Sequence, residues 1–376
     1  MTIRISYLAT VFISVLLIFI GHRFAVSGLF IFQQASQEIA QAKVQRVIQR
    51  ITPLDEAGDI IPMQGDRLIF EAKITSGARK GNTVIASQNL IGFSGIMNKE
   101  VSVGDSVILL FFNNAEWRFH EYLRTGRLLG LVILFVLCVL VFGRKKGFNT
   151  ILSLALTCIA IFAVFIPAIL SGKNIYLMSM LVCSYTIIMT LLIVVGFHKK
   201  SLTAAMGCAG GIAVTALVSI IMDRLLFLSG IVDEHSRYIA SLPVGNQLNL
   251  RAIIFAGITI GAMGAIMDVA ISISSSLWEI KEKASRITFK ALFRSGINIG
   301  RDIMGTMANT LILAYIGSSL SVVLVLSVYS NSLMSLLNSE MVVVEILQAL
   351  AGSLGVLSAL PLTALFCSMI YLRKKI

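Results

Sequence analysis

Long apolar runs, separated by short charged loops, dominate the chain and predict a protein built from membrane-spanning helices. Several of these runs reach the roughly 20 residues that an α-helix needs to cross about 30 Å of hydrocarbon. The alternation of apolar runs with polar loops predicts eight spans. In order, the spans are predicted at residues 7–20, 128–142, 151–170, 175–197, 202–228, 252–277, 303–328 and 341–372.

The first predicted span is short, and two interpretations of it are open. Residues 25–27 include small side chains of the kind found where a signal peptide is cleaved. His22 and Arg23, directly after the apolar run, favour an uncleaved anchor instead. We therefore assign residues 1–32 to an N-terminal anchor helix.

The long polar segment at residues 33–122 has strand character. Apolar and polar residues alternate in four stretches of it, and turns at Gly77, Gly81 and Gly104 separate these stretches. Short strands joined by tight turns are typical of a small barrel resembling an OB or SH3-like fold. The predicted fold class is therefore a mainly α membrane protein of about eight transmembrane helices. An extracytoplasmic β-barrel domain lies between helices 1 and 2, and a seven-helix domain occupies residues 123–376. The strands are predicted within residues 42–51, 67–76, 81–90 and 106–112.

Charge is sparse, and its distribution indicates how the chain lies in the membrane. Hydrophobic residues make up 57% of the 376 residues and charged residues 13%, which is unusual for a soluble protein. The net charge of +12 comes mostly from basic residues beside apolar runs, which mark the cytoplasmic side of a membrane. Both termini are then cytoplasmic, residues 33–122 are extracytoplasmic, and no nucleic-acid partner is expected. The loops predicted to be cytoplasmic carry Arg144, Lys145, Lys146, Lys199, Lys200, Lys281, Lys283, Arg286, Lys290, Arg294, Arg301, Arg373, Lys374 and Lys375.

Asp268 lies in the sixth predicted span, with no charged residue among the sixteen before it. An aspartate at the centre of a membrane helix costs roughly 2.5–3.5 kcal/mol on insertion scales. Steps of three and four place it on one helix face with glycines and hydroxyls. Glycines let another backbone approach closely, so this face is predicted to pack against protein or line a polar path, and not to contact lipid. Its members are Gly257, Gly261, Gly264, Asp268, Ser272, Ser275 and Glu279.

The seventh and eighth predicted spans carry two further polar stripes. In the seventh, Asp302, Thr306 and Asn309 share one face, which Gly305 flanks. Structural hydrogen bonds between helices are the alternative explanation, and Asp302 would also suit a solvated helix N-terminus. The eighth-span stripe comprises Glu345, Gln348, Gly352 and Gly355, and Glu340 just before it is expected to be an exposed loop acid.

Carboxylate, amide and hydroxyl groups on these stripes suit a hard cation or a proton relay. A carboxyl removed from water can exchange a proton near neutral pH, which is the physical basis for an ion-coupled carrier. No cofactor is expected, although a bound cation or a proton is a candidate coupling ion. Whether a metal binds is left open.

Signals for catalysis are weak. The chain has no G-x-x-x-x-G-K-[ST] phosphate loop and no H-E-x-x-H zinc helix. Asp268 and Asp302 would give an intramembrane aspartyl protease its two acids, but Gly300-Arg301-Asp302 departs from the required G-x-G-D motif. An enzyme is therefore not the favoured prediction. The cysteines lie in apolar runs without metal-ligand spacing and are interpreted as small buried hydrophobes: Cys138, Cys158, Cys183, Cys208 and Cys367.

Two motifs resemble the signature of the YibE/F-like family of bacterial membrane proteins. They are GAMGAIMDVAISISSSLWEI at residues 261–280 and IGRDIMGTMANTLILAYIGSSL at residues 299–320. The resemblance extends to Asp233-Glu234 after the fifth span, to Glu345, and to the stretch from Gly352-Ser353-Leu354-Gly355 to Pro361. The chain has Ser319-Leu320-Ser321 where such proteins often have proline. The resemblance implies a bacterial plasma-membrane protein loosely associated with transport, without naming a substrate.

The leading functional hypothesis is a transporter or permease for an ion or small solute. Its path would run along spans six to eight, with Asp268 as the central site. The alternative is a non-transporting scaffold or assembly protein whose external β domain binds an envelope partner. Besides the lipid bilayer, the candidate partners are a second copy of the chain and an envelope protein bound through residues 33–122. The other residues assigned to the path are Ser272, Ser275, Asp302, Thr306, Asn309 and Glu345, and those assigned to helix packing are Gly257, Gly261, Gly264, Gly305, Gly352 and Gly355.

Overall fold

A computed structural model gives the fold as two compact units, Ile31–Cys138 and Met1–Phe30 with Val139–Ile376. The chain is mostly helical, with a small β-barrel near its N-terminus. The basic residues Arg373, Lys374 and Lys375, predicted to be cytoplasmic, lie outside the described residues. The structure describes residues 2–27, 38–52, 66–90, 99–112, 116–241, 248–284, 286–329 and 332–372.

Five strands form a closed barrel in the order β1-β2-β3-β5-β4. All pairings are antiparallel except the parallel pair β3–β5. The predicted small barrel is thus confirmed, but only four of its strands were predicted. The fifth was missed because its sequence, EWRFHEY, is mostly polar and buries few of its side chains, Trp117 among them. The strands are β1 Glu38–Ile51, β2 Arg67–Ile74, β3 Thr83–Asn89, β4 Ser106–Phe112 and β5 Glu116–Tyr122.

Alternating side chains of the strands fill the barrel. Phe70 and Leu109 are fully buried, and Val44 and Trp117 pack into the same cluster. Gly104, in a predicted turn before β4, has φ of 93°, a left-handed conformation that glycine adopts without strain. The core and the turns therefore follow directly from the period-two pattern.

Eleven helices are seen in the described residues, along with one π-helical turn at Ile161–Phe165. They are α1 Thr2–Val26, α2 Thr125–Ala160, α3 Ile166–Leu170, α4 Ile175–Val194, α5 Lys199–Leu225, α6 Glu234–Ser241, α7 Leu250–Lys283, α8 Phe289–Ser318, α9 Leu320–Tyr329, α10 Leu333–Leu337 and α11 Glu340–Tyr371.

Six helical stretches in the described residues are long and apolar enough to cross a membrane, compared with the eight spans predicted. The second and third predicted spans lie in one helical stretch, Thr125–Leu170, which is interrupted at Arg144. Arg144 has φ of 47°, and Gly147 packs against the Val139 carbonyl, so the chain turns back sharply there. The count of eight therefore stays a prediction.

The seventh predicted span is divided between α8 and α9, which meet at Ser319. The hydroxyls of Ser318 and Ser319 both donate to the carbonyl oxygen of Tyr315, at 2.8 and 2.9 Å. Serine hydroxyls that compete for a helix carbonyl bend or end helices. The helix therefore ends here although no proline is present.

The first helix packs on the segment around Pro167, and its polar side chains explain why. Pro167 has no N–H, so it cannot donate the helical hydrogen bond to Ala163. His22 Nδ1 lies 2.6 Å from this freed carbonyl oxygen and donates to it. Ser14 and Tyr185 add a hydroxyl pair 2.5 Å apart between α1 and α4. In the structure α1 is therefore integrated into the helical unit through specific contacts.

Small residues let α5, α7 and α11 pack at short distance. A Cβ added at Gly211 would lie 2.8 Å from Ile266 and 2.9 Å from the Gly355 carbonyl oxygen. Gly207 packs directly against Thr363. Lipid tails are as apolar as the helix surfaces, so helices in a membrane associate chiefly through such close packing.

Three buried hydroxyls join the same helices near one end of the bundle. The Tyr371 hydroxyl lies 2.9 Å from Thr203 Oγ1 and 2.7 Å from Ser274 Oγ. Ser274 Oγ donates to the Lys200 carbonyl oxygen at 2.7 Å, so helix α7 is tied to the first turn of α5. We call Thr203, Ser274 and Tyr371 the hydroxyl cluster.

Tyr371→Phe should destabilise the helical unit. The variant keeps the ring but removes one donor from buried oxygens that water cannot reach, a loss of about 1–3 kcal/mol. The thermal unfolding midpoint in detergent is the measurement. Tyr238→Phe is the matched control, since Tyr238 is 66% exposed. Equal midpoints for the two variants would contradict a stabilising role of the cluster.

Candidate functional site

Helices α7, α8 and α11 carry the predicted site residues and pack against one another. One side of α7 is completely buried, with Ala262, Ile266 and Ile273 facing α5, α11 and their neighbours. The opposite side holds the predicted polar stripe. The site is therefore on the outer surface of the helical unit, and not in its core.

Asp268 is exposed on this outer side of α7. Within the described residues, neither Asp268 nor Ser272 or Ser275 has a hydrogen-bond partner. A Cβ added at Gly264, one turn away, would meet nothing within 4 Å. In the described part of the chain, these polar groups are therefore on an exposed surface of α7.

The remaining glycines of the α7 stripe accommodate side chains, and no neighbouring backbone approaches them. A Cβ at Gly261 would lie 2.6 Å from the Tyr315 hydroxyl, and one at Gly257 would lie 3.9 Å from Gln348 Nε2. The close approach of backbones is found instead at Gly355, which faces Gly211 across the α5–α11 contact. Gly352, also buried, makes room for Leu311 of α8.

The polar stripe of α8 is also exposed. Asp302, Gly305, Thr306 and Asn309 all lie on its outer side. Thr306 donates to the carbonyl oxygen of Ile303 at 2.9 Å, within its own helix. Asp302 and Asn309 have no hydrogen-bond partner in the described part of the chain.

Helices α7 and α8 run antiparallel, and two contacts fix their register. Gly261 faces Tyr315, and Leu277 faces Gly296. Interpolation between these contacts puts Asp268 at about the height of Thr306. Ser272 likewise lies at about the height of Asp302. The two stripes therefore match in height, although no hydrogen bond or ion pair in the described residues joins Asp268 to α8.

Glu345 lies apart from Asp268, in a cavity of about 210 Å³ between α11 and the α8–α9 junction. Tyr315 and Ser319 line the same cavity, with apolar side chains around them. The Tyr315 hydroxyl is buried without a hydrogen-bond partner. Sequence reasoning missed Tyr315. Its position in the motif at residues 299–320 is the only signal that could have pointed to it.

Glu340 has a defined role that the expectation of an exposed loop acid did not include. Its Oε1 accepts hydrogen bonds from the N–H groups of Ser229 and Gly230, at 2.7 and 2.8 Å. Its Oε2 accepts from the Ser229 hydroxyl at 2.7 Å. Glu340 therefore ties the loop after α5 to the first turn of α11.

Asp233, in the Asp-Glu pair before α6, forms a reciprocal cap with Ser236. Asp233 Oδ1 accepts from the Ser236 N–H at 2.7 Å, and Ser236 Oγ accepts from the Asp233 N–H at 2.9 Å. Burial alone would raise the pKa of the Asp233 carboxyl, but the hydrogen bonds from Ser236 outweigh it and hold that pKa below its usual range. The pair is thus a structural cap for α6.

The side chains that could ligate a metal or form a disulfide are dispersed through the described residues. Across the described ranges, no group of three or more His, Cys, Asp or Glu residues is close enough to hold a metal ion. Cys183, Cys208 and Cys367 are buried as expected, whereas Cys138 and Cys158 are exposed. None of the five forms a disulfide.

Several apolar helices long enough to cross a membrane, together with a small β-barrel, indicate a membrane-embedded protein. Residues 131–373 match the YibE/F-like protein family, and the chain belongs to that family. The predicted resemblance is therefore confirmed. The match covers most of the helical part and does not include the barrel. No curated protein and no solved structure matches the chain.

The Asp233 cap should weaken in acid. Because the folded pKa is lowered, its contribution is complete above the unfolded pKa of about 3.9 and is lost as the pH falls through the folded pKa. Hydrogen exchange of α6 amides, relative to unfolded peptide at each pH, should therefore rise below about pH 4. Asp233→Asn keeps the acceptor oxygen but cannot titrate, so the exchange protection of the α6 amides in this variant should not change with pH. The same acid response in both proteins would show that another group is responsible.

Proposed function

We propose that the protein is a transporter or permease for an ion or small solute in the bacterial plasma membrane. Its path follows the outer faces of α7, α8 and α11, with Asp268 as the central site. The orientation is the one that the basic loops predict, with both termini in the cytoplasm and residues 33–122 outside. The eight-span topology belongs to this proposal.

One observation carries the proposal: Asp268 has no hydrogen-bond or ion-pair partner among the described residues, and it lies on the exposed side of a helix long and apolar enough to cross a membrane. Hydrocarbon cannot solvate a carboxylate, and an unpaired one is expected to face water, an ion or protein. Gly264, one turn away on the same face, is open among the described residues. A path for a cation or a proton explains why such a costly group is kept there.

We further propose that a second copy of the chain covers this face. Gly264 and Ser272 are small and exposed on either side of Asp268, so they leave room for a second α7 helix to approach, as small residues do in dimers of membrane helices. A symmetric contact would bring two Asp268 carboxyls together. Two carboxylates in a low-dielectric site cannot both be charged, so the pair would share a proton or hold a cation. That exchange is what an ion-coupled carrier needs.

The other residues take roles from their position along the path. Asp302 and Ser272, at matching height, lie toward the end of α7 that the topology places in the cytoplasm. Glu345 and Tyr315 lie toward the opposite end, where their cavity would admit or release the solute. Thr306 and Asn309 lie between them on α8.

Asp268→Asn should abolish coupled transport. Asparagine has the same shape but neither ionises nor exchanges a proton, so flux should fall at least about tenfold, as for loss of a proton-transfer group. Proteoliposomes measured for proton, sodium and rubidium flux provide the test. Glu282→Gln, an exposed acid of the same helix, is the control. Wild-type flux from a folded Asp268→Asn protein would remove Asp268 from the mechanism.

The variant Gly264→Leu tests the proposed contact between two copies of the chain independently of the folding of a single chain. Nothing lies within 4 Å of a Cβ at Gly264, so a single chain should fold with an unchanged unfolding midpoint. A leucine on the proposed contact should nevertheless lower both the dimer fraction and the flux. Native mass spectrometry and the flux assay measure the two effects.

Gly130→Leu on α2 is the control, because Gly130 is likewise exposed and open. An unchanged dimer fraction in Gly264→Leu would contradict a contact through this face. That result would leave the outcome for Asp268→Asn unaffected.

The alternative is a scaffold protein that does not transport, and the barrel surface favours it. Ile39, Ile85 and Val103 are each at least 64% exposed on this small domain. Exposed apolar side chains can be contact points for a protein partner where they form a contiguous patch. Under this alternative an envelope protein binds the barrel and the intramembrane polar groups only hold helices together. Full function in Asp268→Asn is then the expected outcome.

A further inference from the structure

An open cavity of about 820 Å³ lies where β5 passes into α2. It belongs entirely to the unit that contains the barrel and the first part of α2. The turn before β4 forms one wall, the end of β5 a second, and the first two turns of α2 the third. Neither the family match nor the proposed transport path accounts for this cavity.

The charges that line the cavity are predominantly positive. Lys99, Arg124 and Arg127 are its cations, and Asp105 is its single acid. Asp105 Oδ2 already accepts a hydrogen bond from the Ser102 N–H at 2.9 Å. Arg124 is paired with Glu121 at 2.8 Å, outside the lining. Lys99 and Arg127 form no ion pair within the described residues, so the cavity keeps uncompensated positive charge.

Two residues with hydroxyl groups, Ser106 and Tyr122, also line the cavity. The Tyr122 hydroxyl itself donates to the Lys99 carbonyl oxygen at 2.8 Å, which fixes the backbone beside the Lys99 side chain. Helix α2 begins at Thr125, and N–H groups at a helix start lack helical partners and favour an anion. The cations remain the main attraction, with these groups as support.

The far end of the same cavity is apolar. Leu128 and Leu131 line it and are 58% and 63% exposed. Arg124, Leu128 and Leu131 follow the i, i+4, i+7 spacing, so a cation lies directly before two exposed leucines on one face of α2. From Leu128 onward the helix is apolar enough to cross a membrane. The cavity is therefore amphiphilic, with its positive end toward the barrel.

We propose that this cavity binds the headgroup of an anionic phospholipid. Arg124, Arg127 and Lys99 would hold the phosphate, and arginine suits this through paired N–H donors. An acyl chain would follow Leu128 and Leu131 into the bilayer. These leucines are the reason for choosing a lipid over a free phosphate ion. The proposal does not depend on transport, and would hold equally for a scaffold protein.

The test compares lipids on the full-length protein by native mass spectrometry. Phosphatidylglycerol is the anionic probe, phosphatidylcholine the zwitterionic comparison and inorganic phosphate the headgroup-only comparison. Wild-type protein should retain phosphatidylglycerol with about tenfold or greater preference over phosphatidylcholine. Arg124→Gln/Arg127→Gln should lose that preference. Leu131→Gln should weaken the binding of phosphatidylglycerol and leave the binding of inorganic phosphate unchanged.

Lys43→Gln/Arg46→Gln removes the same charge from exposed positions of β1 and should keep the preference. Equal losses in the two double variants would overturn a defined site in favour of diffuse charge. Phosphate binding as strong as that of phosphatidylglycerol would overturn the lipid assignment. If the Arg124→Gln/Arg127→Gln protein does not fold, Arg127→Gln alone decides, because Arg127 has no ion pair in the described residues that its loss would break.

Discussion

The close contact of α5, α7 and α11 is the constraint on which the helical unit depends. In a bilayer these helices gain little from hiding apolar surface, so their association requires short distances and satisfied polar groups. Gly211 and Gly355 supply the short distances. The hydroxyl cluster supplies the polar contact, with every oxygen paired inside the bundle. The apolar and small residues of α7 on this side are therefore buried inside the bundle.

The burial of these residues determines where Asp268 of α7 lies. The face of α7 that packs against α5 and α11 is filled by Ala262, Ile266 and Ile273. Asp268 must then point outward, away from the bundle. The same holds for Asp302 on α8, whose inner face is occupied by Met304 and Leu311. The exposure of these acids thus follows from the packing of the bundle, and the proposed path runs along the surface on which they lie.

In the barrel unit, charged and apolar side chains lie close together where β5 passes into α2. Strand β5 ends at Tyr122 and α2 begins three residues later, so little chain separates the β-barrel from an apolar helix. Cations and exposed leucines follow each other within two helical turns there. A phospholipid likewise has a charged headgroup that is followed by apolar acyl chains.

The sequence alone was enough to predict the membrane class, the small barrel, the polar stripes and the family resemblance, because periodicity and local motifs depend on neighbouring residues. It also predicted separate spans on either side of Arg144, but not the break at Ser319, which rests on hydroxyl groups competing for the Tyr315 carbonyl oxygen. Nor did it distinguish Gly264, which is open, from Gly355, which is filled, although both follow the same spacing. The difference between these two glycines comes from the packing of neighbouring helices. A helical period places residues on one face, but it does not specify which neighbouring helix covers that face.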